Sequence, residues 1–242
     1  AGRLVRVTRD GVPVEAYEYD HQGRRAVEMN AYRDLPRRLY RYSDADHLLE
    51  AGPIRFDYDF HDRVRVKETR QGALELAYGP RGELKQARLP DGRTIDYQHD
   101  DHGRRVAKAV NGVVTHRYAW RDRIRLAAIQ DAPTGLTLAF LYQDEDDRLP
   151  TAMTDGAEIF ALFHDQVGSL RLVADAAGTV VKRLTYDSFG NLIDETAPGF
   201  ECPIGFAGGL WDGDAGLVSF GYRDDDPEVG RFTAKDPLGA AG

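Results

Sequence analysis

The sequence has almost no cysteine, little methionine or tryptophan, and no long apolar run. One residue of 242 is Cys, two are Met and two are Trp. The lone Cys202 excludes an internal disulfide and a zinc cluster of cysteines, and leaves the compartment open. The richest apolar stretch, residues 136–142 (Leu-Thr-Leu-Ala-Phe-Leu-Tyr), falls well short of the ~20 residues a membrane helix needs, so no membrane span is expected. Positive charge is not in excess: the formal charge is −8, and arginines sit among acids, as in Arg121-Asp122-Arg123. Nucleic acid needs a clustered cationic surface and is not an expected partner. No charged-then-apolar leader opens the chain. Gly2-Arg3-Leu4 reads as the tail of a turn whose anchor lies upstream, so the chain is expected to start mid-repeat, as a piece of a longer protein.

What is present is a period. Tyr19, Tyr42, Tyr58, Tyr78, His99, Trp120, Tyr142, His164 and Tyr186 each precede a short polar turn, at spacings of 23, 16, 20, 21, 21, 22, 22 and 22 residues. A recurrence of this length marks an array of supersecondary units. The clearest copies are Tyr17-Glu-Tyr-Asp-His-Gln-Gly-Arg-Arg25, Tyr97-Gln-His-Asp-Asp-His-Gly-Arg-Arg105 and Leu184-Thr-Tyr-Asp-Ser-Phe-Gly-Asn-Leu192. The Asp can hydrogen-bond the backbone two residues on, and the Gly can take a positive φ, so each copy reads as strand, tight turn, strand. Other copies keep the spacing and lose the letters, among them Tyr78-Gly-Pro-Arg-Gly-Glu-Leu84 and Trp120-Arg-Asp-Arg-Ile124.

A second set of turns falls between the anchors, including Asp10-Gly11, Asp91-Gly92, Asn111-Gly112 and Asp155-Gly156, the strongest short hairpin signals. Segments between turns alternate, as in Leu74, Leu76, Tyr78; Leu136, Leu138, Phe140, Tyr142; and Val180, Lys182, Leu184, Tyr186. No segment carries a clean helical stripe. The expected fold is all-β, a long antiparallel hairpin meander. Strand twist accumulates, so about twenty strands are expected to coil into a spiral ribbon or hollow shell and not to lie flat.

This pattern of Tyr-Asp pairs followed by Gly-Arg or Gly-Xaa-Leu resembles the Rhs, or YD-repeat, family over residues 2 to 195. The segment from Pro203 to Gly239, containing Phe206-Ala-Gly-Gly-Leu-Trp-Asp212, Phe220-Gly-Tyr-Arg-Asp224 and Asp236-Pro-Leu-Gly239, resembles the Rhs-associated core that ends the array in bacterial polymorphic toxins, and the whole is similar to a toxin-complex C component. The division this implies is 1–200 for about nine repeat units and 201–242 for the core. The resemblance implies a cocoon holding a C-terminal toxin domain, with the core as plug. Its expected partners are that cargo, shell segments upstream, and secretion-apparatus or B-component proteins. It also implies export to the cell surface or beyond, by type VI secretion or as part of a toxin complex, in bacterial competition. Self-cleavage at a second Asp-Pro-Xaa-Gly motif, beyond the present chain, would free the toxin, so no enzymatic activity is expected of this segment alone.

Such cleavage needs two carboxyl groups sharing a proton. By resemblance these are Asp224 and Asp236, with Arg223 to position charge. Asp226 competes for the first role, because Asp224-Asp-Asp226 places three acids in a row. A plain hairpin loop at Asp226-Pro227 to Gly230 is the bland reading of the same residues. Asp212 and Asp214 flank Gly213 but lack the alternating ligands and later Glu of a calcium loop. The histidines lack metal-ligand spacing, and neither metal nor cofactor is expected. The tyrosines read as cross-strand packing. Against the shell stands one alternative of another class, a surface adhesion or carbohydrate-binding repeat module that uses them as platforms.

Overall fold

The computed structural model describes residues 2–236, which fall into two compact units that divide in sequence between Leu74 and Glu75. Pro237 to Gly239 of the first Asp-Pro-Xaa-Gly motif lie outside the described residues. The first unit holds β1 (Arg6–Arg9), β2 (Val12–Tyr19), β3 (Arg25–Asn30), β4 (Leu35–Tyr42), β5 (Leu48–Ala51), β6 (Ile54–Tyr58) and β7 (Val64–Thr69), each antiparallel to the next. β8 (Gly72–Tyr78) opens the run of the second unit. It continues through β9 (Leu84–Arg88), β10 (Thr94–His99), β11 (Arg105–Val110), β12 (Val113–Trp120), β13 (Leu126–Asp131) and β14 (Thr137–Leu141). The last strands of the run are β15 (Ala152–Thr154), β16 (Ile159–His164), β17 (Leu170–Ala174), β18 (Val180–Tyr186) and β19 (Leu192–Glu195). A separate four-stranded sheet follows: β20 (Leu210–Asp212), β21 (Leu217–Ser219), β22 (Asp224–Asp226) and β23 (Arg231–Phe232). The protein is therefore the all-β antiparallel meander its period predicts, with helix confined to single 3₁₀ turns among the described residues.

Two turn types recur. At Asp10-Gly11 and Asn111-Gly112 both central residues have positive φ (52° and 80°; 50° and 80°), and Arg9 faces Val12 as Val110 faces Val113. These are two-residue loops of the mirror-image kind that matches strand twist. In most repeats the Asp after the anchor organises a second kind of turn. Asp20 Oδ1 accepts the N–H groups of Gln22 and Arg24, both at 2.9 Å, and Oδ2 accepts Arg24 Nε at 2.7 Å. Asp59 with Arg63 and Asp100 with Arg104 repeat the arrangement. Degraded copies find substitutes. Asp122 accepts Ile124 N and Arg125 N at 2.9 and 2.8 Å. Where the Asp is replaced by Gly79, the Glu83 carboxylate occupies the space and accepts Arg81 N at 3.0 Å.

The strand register slips at most anchors: between Glu18 and Tyr19, Arg41 and Tyr42, Asp57 and Tyr58, Gln98 and His99, Ala119 and Trp120, and Thr185 and Tyr186. Each slip is a β-bulge, which adds one residue to one strand and re-aims those beside it. The anchors then reach one repeat back. Tyr42 donates its hydroxyl to Arg25 O, Tyr58 to Leu48 O and Tyr142 to Leu126 O, all at 3.0 Å, and Trp120 Nε1 donates to Arg105 O at 2.8 Å. Every acceptor is the first residue of a strand, so each anchor staples the entry of the preceding one.

In the second unit Met153, Leu170 and Val173 are fully buried, packed with Leu126, Phe140 and Leu184. The alternation predicted for 136–142 starts later than its letters suggest, because Leu136 lies in the turn after Gly135 and is exposed. In the run Val180, Lys182, Leu184 the cation is buried too. Lys182 Nζ bonds Glu195 (2.7 Å), Ala197 O (2.8 Å) and Phe200 O (2.9 Å), which fastens the segment leading to the terminal sheet.

Candidate functional site

Arg105 and Lys108 are three apart on β11 and would point to opposite faces of a regular strand. The bulge prevents this. Tyr97 lies opposite Lys108 and His99 opposite Arg105, so the extra residue on β11 brings both cations to the face that Tyr97 occupies. The guanidinium of Arg105 sits 4.0 Å from the centre of the Tyr97 ring. The first unit repeats the geometry with a different charge: Tyr17 faces Glu28 and Tyr19 faces Arg25. There Glu28 accepts the Tyr40 hydroxyl and lies 3.4 to 4.0 Å from Arg25, Arg33 and Arg38. Where Glu28 supplies an acid from the repeat itself, Lys108 supplies a second cation.

The terminal sheet provides the acids that answer it. The Asp212-Gly-Asp-Ala-Gly216 turn between β20 and β21 closes through Gly216 N to Asp212 O at 2.8 Å. Asp212 Oδ2 accepts the Tyr97 hydroxyl (2.8 Å) and Oδ1 accepts Lys108 Nζ (2.7 Å). Lys108 also binds Asp214 (2.6 Å), whose other oxygen meets Arg93. Arg105 Nη2 donates to Asp224 Oδ1 at 3.0 Å, and its Nη1 lies 3.8 Å from Asp212. Arg105, Lys108, Asp212 and Asp224 are all at most 6 % exposed in their side chains.

Charges this buried survive only when matched. Burial pushes the Asp212 carboxyl up, but Lys108, Arg105 and the Tyr97 hydroxyl outweigh it and leave Asp212 below the ordinary carboxylate range. Burial pulls Lys108 down, and Asp212 and Asp214 more than restore it. Asp224 goes the other way: burial holds it above its usual value even with Arg105 opposing. Burial, with Arg105 and Lys85 nearby, pushes His99 down to about 4.

The terminal segment is also seated on turn glycines. A Cβ at Gly190, where φ is +92°, would stand 2.6 Å from the Phe206 ring, and one at Gly103 would touch Tyr222. Asn191 Nδ2 donates to Pro227 O at 2.7 Å, and Ala207 N to Ser169 Oγ at 3.0 Å.

Of the residues that sequence singled out, Arg223 and Asp236 meet, at 2.8 Å, with the Arg223 guanidinium 3.9 Å from the Phe232 ring centre. Asp224 follows Arg223 directly but is held by Arg105, so the two acids have different arginines. Asp226 is buried, its side chain accepting Glu228 N and its carbonyl Val229 N and Gly230 N. It builds the β22–β23 hairpin loop. Asp212 and Asp214 neutralise cations, and no group of three or more His, Cys, Asp or Glu among the described residues is arranged to hold a metal. No helix among the described residues is long and apolar enough to cross a membrane. Tyr97, Arg105 and Lys108 escaped the sequence reading. Their signal is the exchange of Glu28 for Lys108 at equivalent repeat positions.

Comparison with known proteins follows the same repeat. The model of the teneurin YD-shell matches residues 1–239. The chain belongs to this family. It is 28 % identical over 249 residues to teneurin-3 of Danio rerio and 29 % identical over 246 residues to teneurin-4 of Mus musculus, covering 91 % of this chain and 9 % of each teneurin. It is 27 % identical over 279 residues to the double-stranded DNA deaminase toxin A of Burkholderia cenocepacia, covering 100 % of this chain and 19 % of the toxin. Among solved structures it is similar to a TcdB2–TccC3 complex (TM-score 0.34, 14 % identity, 96 % of this chain and 19 % of the other) and to the Photorhabdus luminescens Tc holotoxin pore (TM-score 0.37, 13 % identity, 94 % and 18 %). This YD-shell chain thus spans under a fifth of the curated relatives named.

Proposed function

We propose that this YD-shell segment is container wall and closure together: its repeats form part of a shell around a toxin domain of the same protein, and residues 201–242 act as the Rhs-associated core that plugs it. The carrying observation is the interlock in which Asp212, Asp214 and Asp224 of the terminal sheet meet Arg93, Arg105 and Lys108 of the repeats. Likeness to a deaminase toxin across the whole chain supports a toxin as cargo. In this reading the core also contributes to self-cleavage that frees the cargo, with Asp224 and Asp236 as the acid pair and Arg223 holding Asp236. Export, and contact with upstream shell segments and delivery proteins, belong to the same proposal. The adhesive alternative has less support, because Tyr42, Tyr58 and Tyr142 give their hydroxyls to backbone carbonyls.

The test uses the natural full-length protein that carries this segment. It should run as two fragments on a denaturing gel yet purify as one particle, with the C-terminal fragment resisting protease until the shell is denatured. Asp236→Asn should leave one fragment. A C-terminal part digested as fast in the particle as when made alone would sink encapsulation, and an Asp236→Asn protein still cut would sink the role of Asp236.

A further inference from the structure

We propose that Arg105, on repeat strand β11, is a positioning residue for self-cleavage: through its bond to Asp224 it makes that acid competent only when the terminal sheet is seated on the repeats. The inference rests on the reading that Asp224 and Asp236 form the acid pair. It goes beyond that reading by placing part of the machinery 119 residues away, on the wall.

The surroundings of Asp224 leave Arg105 little company. Asp224 faces Arg105 from β11, Asp212 from β20 and Ser219 from β21. Tyr97 from β10 and Tyr118 from β12 flank the guanidinium, and Lys108 is engaged by Asp212 and Asp214. Without Arg105 the carboxyl would stand in a dry site beside a like charge, with a hydroxyl for help. Asp236 is more exposed than Asp224 and is held by Arg223 at 2.8 Å, which leaves it within reach of water. Asp224, raised by burial, suits the proton donor.

The step then balances with water as co-reactant. Asp236 takes a proton from water while the water oxygen bonds the scissile carbonyl carbon. Asp224 gives its proton to the amide nitrogen as the C–N bond breaks. The products are a new carboxyl terminus and a new amine, and the pair has exchanged one proton. Arg105 is placed to receive the negative charge that appears on Asp224. Removing it makes Asp224 a weaker acid and delays proton release.

The experiment measures the rate of self-cleavage against pH in the natural full-length protein, with Asp224→Asn as the control. Arg105→Gln should cleave several-fold more slowly on the plateau below the alkaline limb, with that limb displaced upward by about one pH unit, while Arg105→Lys should recover most of both. Equal rates and an unmoved limb in Arg105→Gln overturn the inference. If that variant does not fold, Asp212→Asn decides, since it keeps Arg105 and removes the competing charge. Its limb should move to lower pH, and an unmoved or raised limb overturns the inference. Cleavage persisting in Asp224→Asn defeats the acid-pair reading itself. Its loss there, beside an unaffected Arg105→Gln, defeats only the role of Arg105.

Discussion

Arg105 Nη2 and Asp224 Oδ1, 3.0 Å apart and both buried, join the middle of the repeat array to its terminal sheet. Neither residue belongs to a recognisable motif for the other. The pair exists because a bulge turned Arg105 onto the face of Lys108, and β22 turned Asp224 toward it.

Lys108→Met should destabilise the second unit by about 3–5 kcal/mol, the range for stripping one partner from a buried ion pair. The loss would leave Asp212 and Asp214 without Nζ. Urea unfolding of Lys108→Met, Asp212→Asn and the double variant should give strongly non-additive losses. Additive losses would mean the ion pair is not coupled.

Gly190→Ala should lower the melting temperature through two effects, a φ of +92° that side chains avoid and a 2.6 Å approach to Phe206. Gly199→Ala, with nothing within 4 Å, is the matched control and should stay within about 0.5 kcal/mol of the parent.

Tyr142→Phe keeps the ring and deletes the bond to Leu126 O. A loss of ~1 kcal/mol is expected from a hydrogen bond of this kind. A melting curve superimposable on the parent would show that the ring alone anchors the repeat.

His99 is half-buried, and the loss of water with Arg105 and Lys85 nearby favours its neutral form. Its folded pKa of about 4 lies below the unfolded value near 6.5. Between those values the unfolded chain binds a proton that the folded one refuses, so stability must fall as pH drops from about 6.5 toward 4. His99→Gln should flatten that part of the plot of melting temperature against pH. An identical slope in both proteins would show that His99 does not titrate as its surroundings dictate.

Much of the fold was written in the letters. The spacing of the anchors, the Asp at the turn and the Asp-Gly and Asn-Gly pairs specify local chain reversals, and local chemistry suffices to predict them. Gly79 shows how periodicity outlives its motif, since Glu83 reaches back to fill the missing carboxylate. The interlock was harder to read. Arg105 and Lys108 look like solvated charges until the bulge is known, and Asp212 and Asp214 look like an incomplete calcium loop until their cations arrive from more than a hundred positions away. Pairing over such distances leaves no period. Arg223 and Asp236 were legible as a pair, whereas the separate arginine on Asp224 was not, because Arg105 lies 119 residues away in the chain.

An array of near-identical rungs presents a folding problem of its own: the terminal sheet has many look-alike landing places. The residue that is Glu28 in one rung and Lys108 in another resolves it. At the first, the repeat's own acid already engages Arg25, Arg33 and Arg38, and at the second Lys108 is engaged by the acidic turn, so one exchange in an otherwise monotonous ladder works as an address. Changing where the final segment lands would then require no new fold, only a charge moved from one rung to the next.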